Sequence, residues 1–120
     1  MYDFILVDCS GTLHQQTPHA LEALISDKVV QHIYSNLADD GVLCVWSGYG
    51  QEHAQAIGEK AGFDGLTWFP STKGEDEWRE GFEQTEDASL LVIDDDHGLL
   101  EAFARLFECD TIHPDKIAEL

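Results

Sequence analysis

Positive charge is scarce in this sequence. Only six of its 120 residues are Lys or Arg, against 24 Asp and Glu, and the formal net charge is −18. A surface with that balance repels nucleic acid and anionic membranes, so neither is expected as a partner. The excess of acid indicates a solvated acidic surface, which would also suit high salt. A surface that recruits a basic partner is the alternative.

Cysteine is also scarce. Cys9, Cys44 and Cys109 are odd in number and far apart, so no pair has the spacing of metal ligands. A chain of this length needs no disulfide to hold its core together, which favours reduced thiols and a cytoplasmic location. Asp3 and Asp8 interrupt the apolar start, which argues against a signal peptide, and no run approaches the roughly 18 apolar residues of a membrane span.

The pattern of the chain predicts its fold class. Residues 1–120 leave room for one domain with one core. Strand and helix patterns alternate, which predicts an α/β fold: a three-layer, Rossmann-like parallel sheet with helices on both faces. Strands are expected at 4–8, 42–46, 66–69, 90–93 and 111–112, and helices from Ser26 to Leu37, from Gln51 to Ala61 with Gly62 as C-cap, from Thr72 past Phe82, and from Leu99 to Phe107. Residues 9–19 are predicted as irregular loop and Asp39-Asp40-Gly41 as the end of the first helix.

Residues able to do chemistry follow the predicted strands. Asp8 ends the first strand, Ser47 directly follows the second, and Asp94 and Asp95 directly follow the fourth. Because parallel strands carry their C-terminal ends to one edge, where an open α/β sheet keeps its ligand crevice, these side chains are expected to meet. Lys73 lies between Ser47 and Asp94, just before a predicted helix, in a chain with few lysines.

Each of these residues has a simpler explanation when it is taken alone. Asp8 could cap a turn, Ser47-Gly48 could be an ordinary turn after a strand, and residues 94–96 could be a solvated acidic run. Lys60 could take the place of Lys73 among these residues, although its position inside a predicted helix favours exposure to solvent.

Residues 4–13 read Phe-Ile-Leu-Val-Asp-Cys-Ser-Gly-Thr-Leu. They resemble the first motif of the haloacid dehalogenase-like superfamily, Asp-x-Asp-Gly-Thr-Leu, whose leading aspartate is a nucleophile. The resemblance implies that Asp8 attacks the substrate and that Ser10, Gly11 and Thr12 belong to the substrate-binding loop.

The later motifs of that superfamily find counterparts in the same order, so that the resemblance extends from Phe4 to about Phe107. Ser47, with Gly48 beside it, matches the second motif, a hydroxyl that binds the transferring phosphoryl oxygens. Lys73 matches the third motif. Asp94 and Asp95 match the Asp-Asp form of the fourth motif, which holds Mg²⁺.

Mg²⁺ is the cofactor that the resemblance implies. Crowded carboxylates repel one another and a substrate phosphate, and a hard divalent cation with oxygen ligands offsets that charge. The resemblance assigns as ligands Asp8, Asp94, Asp95 and the backbone carbonyl of Ser10. Lys73 would screen Asp8 from the phosphate that it attacks.

The chain departs from the family pattern at Ser10. Family phosphatases have an aspartate there, which protonates the leaving group and then activates water, and a serine hydroxyl is no comparable acid or base near pH 7. P-type ATPases, phosphonatases and dehalogenases also lack that aspartate. At position 10 the motif is most like that of the P-type ATPases, but nothing else in this sequence resembles a transport ATPase. A Mg²⁺-dependent phosphohydrolase is the leading hypothesis, a catalytically weak binding or regulatory domain of the same fold is the alternative, and dehalogenase chemistry is remote.

The spacing of the motifs leaves no room for a cap domain. The stretch from Leu13 to Val42 can hold a flap and one helix, and that from Gly48 to Thr72 one helix and one strand. The site is therefore expected to be open, which favours a large phosphorylated substrate, a lid supplied by a partner, or weak activity on small phosphoesters. The substrate and the oligomeric state do not follow from the sequence.

Overall fold

The computed structural model describes residues 1–8, 12, 14–16, 21–23, 26–47, 51–63 and 87–120. The described strands are β1 (Tyr2–Asp8), β2 (His14–Gln16), β3 (Leu21–Ala23), β4 (Leu37–Trp46), β5 (Leu90–Ile93) and β6 (Asp110–Ile112). The described helices are α1 (Asp27–Ser35), α2 (Gln51–Ala61), α3 (His97–Leu106) and a 3₁₀ helix at Pro114–Glu119. The predicted α/β class is confirmed.

Within the described residues, β4, β1, β5 and β6 form a parallel sheet in that spatial order. The chain therefore moves toward one edge of the sheet from β1 to β4 and toward the other edge from β5 to β6. Helix α1, on the first connection, packs on one face of the sheet, and α3, on the second, packs on the opposite face. The two connections run toward opposite edges of the sheet and place their helices on opposite faces. They therefore have the same hand, which agrees with the strong preference of crossovers between parallel strands for a single hand.

Alternation along the strands divides the core between these two faces, because successive strand side chains point in opposite directions. One face buries Ile5, Val7, Leu43, Val45, Leu91 and Ile93 against α1, α2 and the 3₁₀ helix. The other buries Leu6, Cys44, Trp46, Leu90 and Val92 against Leu100 and Phe103 of α3. Burial on both faces explains why β1 and β5 read as nearly continuous apolar runs.

Local capping sets the helix boundaries largely where the sequence places them. The Ser26 side chain accepts a hydrogen bond from the N–H of Val29 at 3.4 Å, which confirms it as the N-cap of α1. Gly62 follows α2 with a φ of +98°, a left-handed conformation that glycine adopts without strain, so the predicted C-cap is also confirmed.

The predicted end of the first helix is wrong. Helix α1 ends at Ser35, because the N–H of Asn36 bonds back to the last turn and β4 begins at Leu37. Tyr2 pairs with Leu37 but Phe4 pairs with Val42, so four residues of β4, 38–41, lie opposite the single residue Asp3 of β1. The turn-forming residues at 39–41 therefore mark a bulge inside a strand and not the end of a helix.

A close approach explains the glycine in that bulge. A Cβ atom at Gly41 would lie 2.7 Å from Cδ1 of Leu37 and 2.8 Å from the carbonyl oxygen of Ala38. The backbone contact leaves no room for a side chain.

Residues 9–19 were predicted as irregular loop, and that prediction is wrong in part. His14–Gln16 is β2, which pairs antiparallel with β3, Leu21–Ala23. Strands of three residues are too short for an alternating pattern to reveal them. The strand predicted at 66–69 and the helix predicted from Thr72 past Phe82 lie outside the described residues.

Two of the three cysteines lie in the described residues. Cys44 is buried and Cys109 half-buried, and both are free. Burial, assisted by the charge of Asp110, raises the pKa of Cys109 to about 11, so this thiol stays protonated at neutral pH. In the described part of the chain no helix combines the length and apolar character needed to cross a bilayer.

Candidate active site

The strand order defines a place where sheets of this kind bind ligands. The chain leaves β1 and β5 toward opposite edges of the sheet, so the change of direction falls between these two neighbouring strands. In open α/β sheets the ligand crevice opens at such a point, outside the C-terminal ends of the strands. Asp8 is the last residue of β1, and Asp94 directly follows β5.

The strand register aligns three predicted residues along this edge. Val7 pairs with Ile93, so Asp8 and Asp94 each come one residue further along neighbouring strands. Asp8 pairs with Trp46 on its other side, which places Ser47 one residue beyond that pair. Ser47, Asp8 and Asp94 therefore follow one another across β4, β1 and β5.

Buried polarity is concentrated at the same edge. Among the described residues the buried polar or charged side chains are Asp8, Thr12, Ser47 and Asp94, with exposed fractions of 4, 1, 3 and 1%. All four were predicted as site residues from the sequence. Removing a carboxylate from water costs several kcal/mol unless it is hydrogen-bonded or paired with a cation. Two carboxylates buried at one strand edge therefore require hydrogen bonds or a cation beside them.

Three carboxylates meet there. Asp8, Asp94 and Asp95 each place one oxygen so that the three atoms lie within 4.8 Å of one another, and Asp95, unlike the other two, is exposed. The donor set consists of hard oxygen atoms without nitrogen or sulfur, which suits Mg²⁺, Ca²⁺ or Mn²⁺ better than a soft metal. The three carboxylates thus fit the ion that the resemblance implied, and Asp95 is exposed while Asp8 and Asp94 are buried.

Hydrogen bonds fix both buried carboxylates. Thr12 donates from its hydroxyl to Oδ2 of Asp8 at 3.0 Å. The backbone N–H of Asp96 donates to Oδ1 of Asp94 at 2.9 Å. The Asp96 side chain accepts from the N–H of Leu99 at 3.1 Å and so caps α3. The third aspartate of the acidic run therefore belongs to the helix and not to the carboxylate cluster.

The structure brings together part of the predicted site. Asp8, Thr12 and Ser47 lie at the C-terminal edge of the sheet with Asp94 and Asp95. The other predicted residues, Ser10, Gly11, Gly48 and Lys73, lie outside the described residues, and their roles stay predictions. Lys60, the alternative lysine, is exposed on α2 as expected.

One pair of side chains at this edge was missed from the sequence. His97 is the first residue of α3, and His113 directly follows β6. Their rings stack with centroids 4.5 Å apart and an interplanar angle of 11°. Nothing in their spacing marks them as partners. The sequence feature that could have indicated the pair is the predicted strand at 111–112. If that strand pairs with β5, the residue that follows it, His113, lies near the C-terminal end of β5.

Comparison of the chain with models of known protein families, with curated proteins and with solved structures yields no match. The fold and the site define its class: an α/β protein with a carboxylate cluster at the C-terminal edge of a parallel sheet.

Proposed function

We propose that this protein is a Mg²⁺-dependent phosphohydrolase of the haloacid dehalogenase-like type, without a cap domain. The observation that carries the proposal is the identity of the buried polar residues. Among the described residues these are Asp8, Thr12, Ser47 and Asp94, each of which matches a motif position of that superfamily. A solvated acidic run or a set of unrelated turns would not require all four to be buried at one strand edge.

Asp8 is the nucleophile in this proposal. Its carboxylate attacks phosphorus, the bond from phosphorus to the leaving oxygen breaks, and the phosphoryl group is carried on Asp8 until water releases it as phosphate. The Thr12 hydroxyl, 3.0 Å from Oδ2, holds the carboxylate in one orientation for that attack. Position at the strand end gives a rigid support, because the backbone of β1 is paired on both sides.

Charge control is the main task of the remaining residues. Phosphoryl transfer leaves negative charge on the equatorial oxygens, so the site must supply donors and cations. Ser47 supplies a hydroxyl donor, and Lys73 is assigned by the motif order to the cationic role. Mg²⁺ held by Asp8, Asp94 and Asp95 would supply further positive charge to the phosphoryl oxygens.

Ser10 restricts which esters such a site can cleave. Position 10 offers no carboxylic acid to protonate the leaving oxygen. Esters of acidic alcohols, above all phenols, need such a proton least, because their oxygen can depart as an anion. The same residue is the argument for a second candidate, a binding or regulatory domain that keeps the metal site and hydrolyses little.

The test is hydrolysis of para-nitrophenyl phosphate with and without Mg²⁺. We expect Mg²⁺-dependent turnover that falls about 10³-fold or more in Asp8→Asn, because that change removes the nucleophile. Asp39→Asn, at an exposed position of β4, is the matched control and should keep wild-type turnover. Turnover that survives Asp8→Asn would refute the assignment. A wild-type protein that binds Mg²⁺ without any turnover would favour the binding domain.

A further inference from the structure

The stacked histidines begin at the same edge of the sheet as the carboxylate cluster. His97 follows Asp95 by two residues, at the start of the helix that Asp96 caps. His113 follows Ile112, whose carbonyl oxygen accepts the N–H of Asp94 at 3.3 Å. Ile112 also pairs with Ile93, so His113 aligns with Asp94 across the sheet. Both imidazoles therefore start from the edge that holds Asp8, Asp94 and Asp95.

The inner ring of the pair is held in place. Nδ1 of His113 accepts the backbone N–H of Asp115 at 3.1 Å, which caps the 3₁₀ helix. The Asp115 carboxylate lies 3.5 Å from the same nitrogen. Since a backbone amide always carries its proton, Nδ1 is the acceptor of this hydrogen bond. The His113 ring is thus a fixed support on which the exposed ring of His97 lies.

This pair offers a kind of binding that does not depend on positive charge. A flat ring stacked on a fixed ring presents an aromatic surface, and aromatic rings attract one another at centroid separations of about 4.5 to 7 Å. In a chain of net charge −18, such a surface adds affinity for a substrate without requiring further cations.

The chemistry at position 10 points to the same class of substrate. Phenols have pKa values near 10, as the tyrosine side chain does, and leave as anions far more readily than alkyl alcohols. Because Ser10 offers no carboxylic acid to a leaving group, aryl esters are the phosphoesters that lose least at this position, and an aromatic surface at this edge of the sheet would bind their rings.

We propose that the His97–His113 pair binds the ring of an aryl phosphate monoester, and so determines specificity for phenolic esters. The inference rests on the proposed phosphohydrolase function and names its substrate class.

The first test is the ratio of kcat/KM for phenyl phosphate to that for ethyl phosphate. In His97→Ala we expect this ratio to fall about 3- to 10-fold, mainly through a higher KM for phenyl phosphate, since one aromatic contact is lost. His97→Phe keeps a flat ring and should restore the ratio. Glu101→Ala, at an exposed position one turn along α3, is the matched control and should not change it.

A binding measurement separates this inference from the proposed function. Phenylphosphonate and methylphosphonate, which are not hydrolysed, are titrated into the Mg²⁺-loaded protein while the imidazole proton resonances of His97 and His113 are followed. Larger shifts with phenylphosphonate than with methylphosphonate support the aromatic surface, even if turnover is absent and the hydrolase proposal has failed. Turnover together with equal shifts for the two phosphonates, or an unchanged ratio in His97→Ala, would overturn the aromatic surface alone.

Discussion

The two ends of the parallel sheet use carboxylates in opposite ways. At the N-terminal end, Asp3 and Asp110 are exposed, and each accepts a hydroxyl hydrogen bond. Ser89 donates to Asp3 at 3.3 Å and Tyr2 donates to Asp110 at 2.7 Å. At the C-terminal end, Asp8 and Asp94 are buried, and their oxygens approach a third carboxylate.

This difference separates carboxylates that hold the fold from carboxylates that we propose hold a metal ion. The hydrogen bonds of Asp3 and Asp110 join segments that are 86 and 108 residues apart in sequence. They therefore stabilise the assembled sheet. The three carboxylates at the other end repel one another, which lowers the stability of the protein without a cation. Such local costs are typical of functional sites, where selection for activity outweighs selection for stability.

The largest expected effect comes from Ser10→Asp, two residues past the end of β1 in the sequence. If Ser10→Asp supplies the missing acid and base, turnover of aryl phosphates should rise, and general acid–base groups contribute about 10²- to 10⁴-fold. The added charge beside Asp8 opposes the gain, but bound Mg²⁺ offsets it. Steady-state kinetics at saturating Mg²⁺ measures the change.

Ser89→Asp is the matched change at the N-terminal end. It places a charge beside Asp3 and should lower stability without raising turnover. A Ser10→Asp variant that binds Mg²⁺ normally and gains nothing on any aryl phosphate would favour the binding domain over the hydrolase.

Mg²⁺ should act on the C-terminal end alone. A ligand that binds only the folded state stabilises it by about 2.7 kcal/mol at 100 times its dissociation constant. We expect that gain in urea denaturation of the wild-type protein and its loss in Asp95→Asn. Ionic strength must be held constant, because a protein of net charge −18 gains from any salt. A gain that persists undiminished in Asp95→Asn would place the ion elsewhere.

Neutralising one carboxylate should change the free energy of unfolding in opposite directions at the two ends of the sheet. In the presence of EDTA, Asp94→Asn should raise the free energy of unfolding by about 1 kcal/mol, because it relieves repulsion inside the cluster. An asparagine oxygen can still accept the N–H of Asp96, so the turn before α3 is kept. Asp3→Asn removes the same charge but weakens the bonds to Ser89, and should lower stability. Equal changes in both variants would show that only the net charge matters.

The sequence anticipated the C-terminal end better than the N-terminal end. Asp8, Ser47, Asp94 and Asp95 were predictable because strand ends are local features and parallel strands bring them to one edge. The helix caps at Ser26 and Gly62 were likewise local.

The features that the sequence did not predict depend on contacts between distant segments. The bulge at 38–41 exists only because Leu37 pairs with Tyr2, and the acidic turn within it looks like a helix end when read alone. The stack of His97 on His113 requires β6 to lie beside β5, which no spacing in the sequence reveals. Pairs of this kind are set by topology.

The smallest effect concerns the hydroxyl bond of Tyr2 at the N-terminal end. Its hydrogen bond to Asp110, with burial and the charge of Asp110, raises the pKa of Tyr2 to about 12. The unfolded value is about 10, so the folded state favours the neutral phenol. The resulting stability is complete below pH 10 and is lost as the pH rises through about 12. At pH 8, Tyr2→Phe should therefore cost about 1 kcal/mol of unfolding free energy, and the cost should shrink above pH 10.

Urea denaturation of the wild type, Tyr2→Phe, Asp110→Asn and the double variant measures the coupling between the two side chains. A cost that stays constant from pH 8 to 12 would show that Tyr2 contributes packing alone, and that the contrast between the two sheet ends does not extend to this carboxylate.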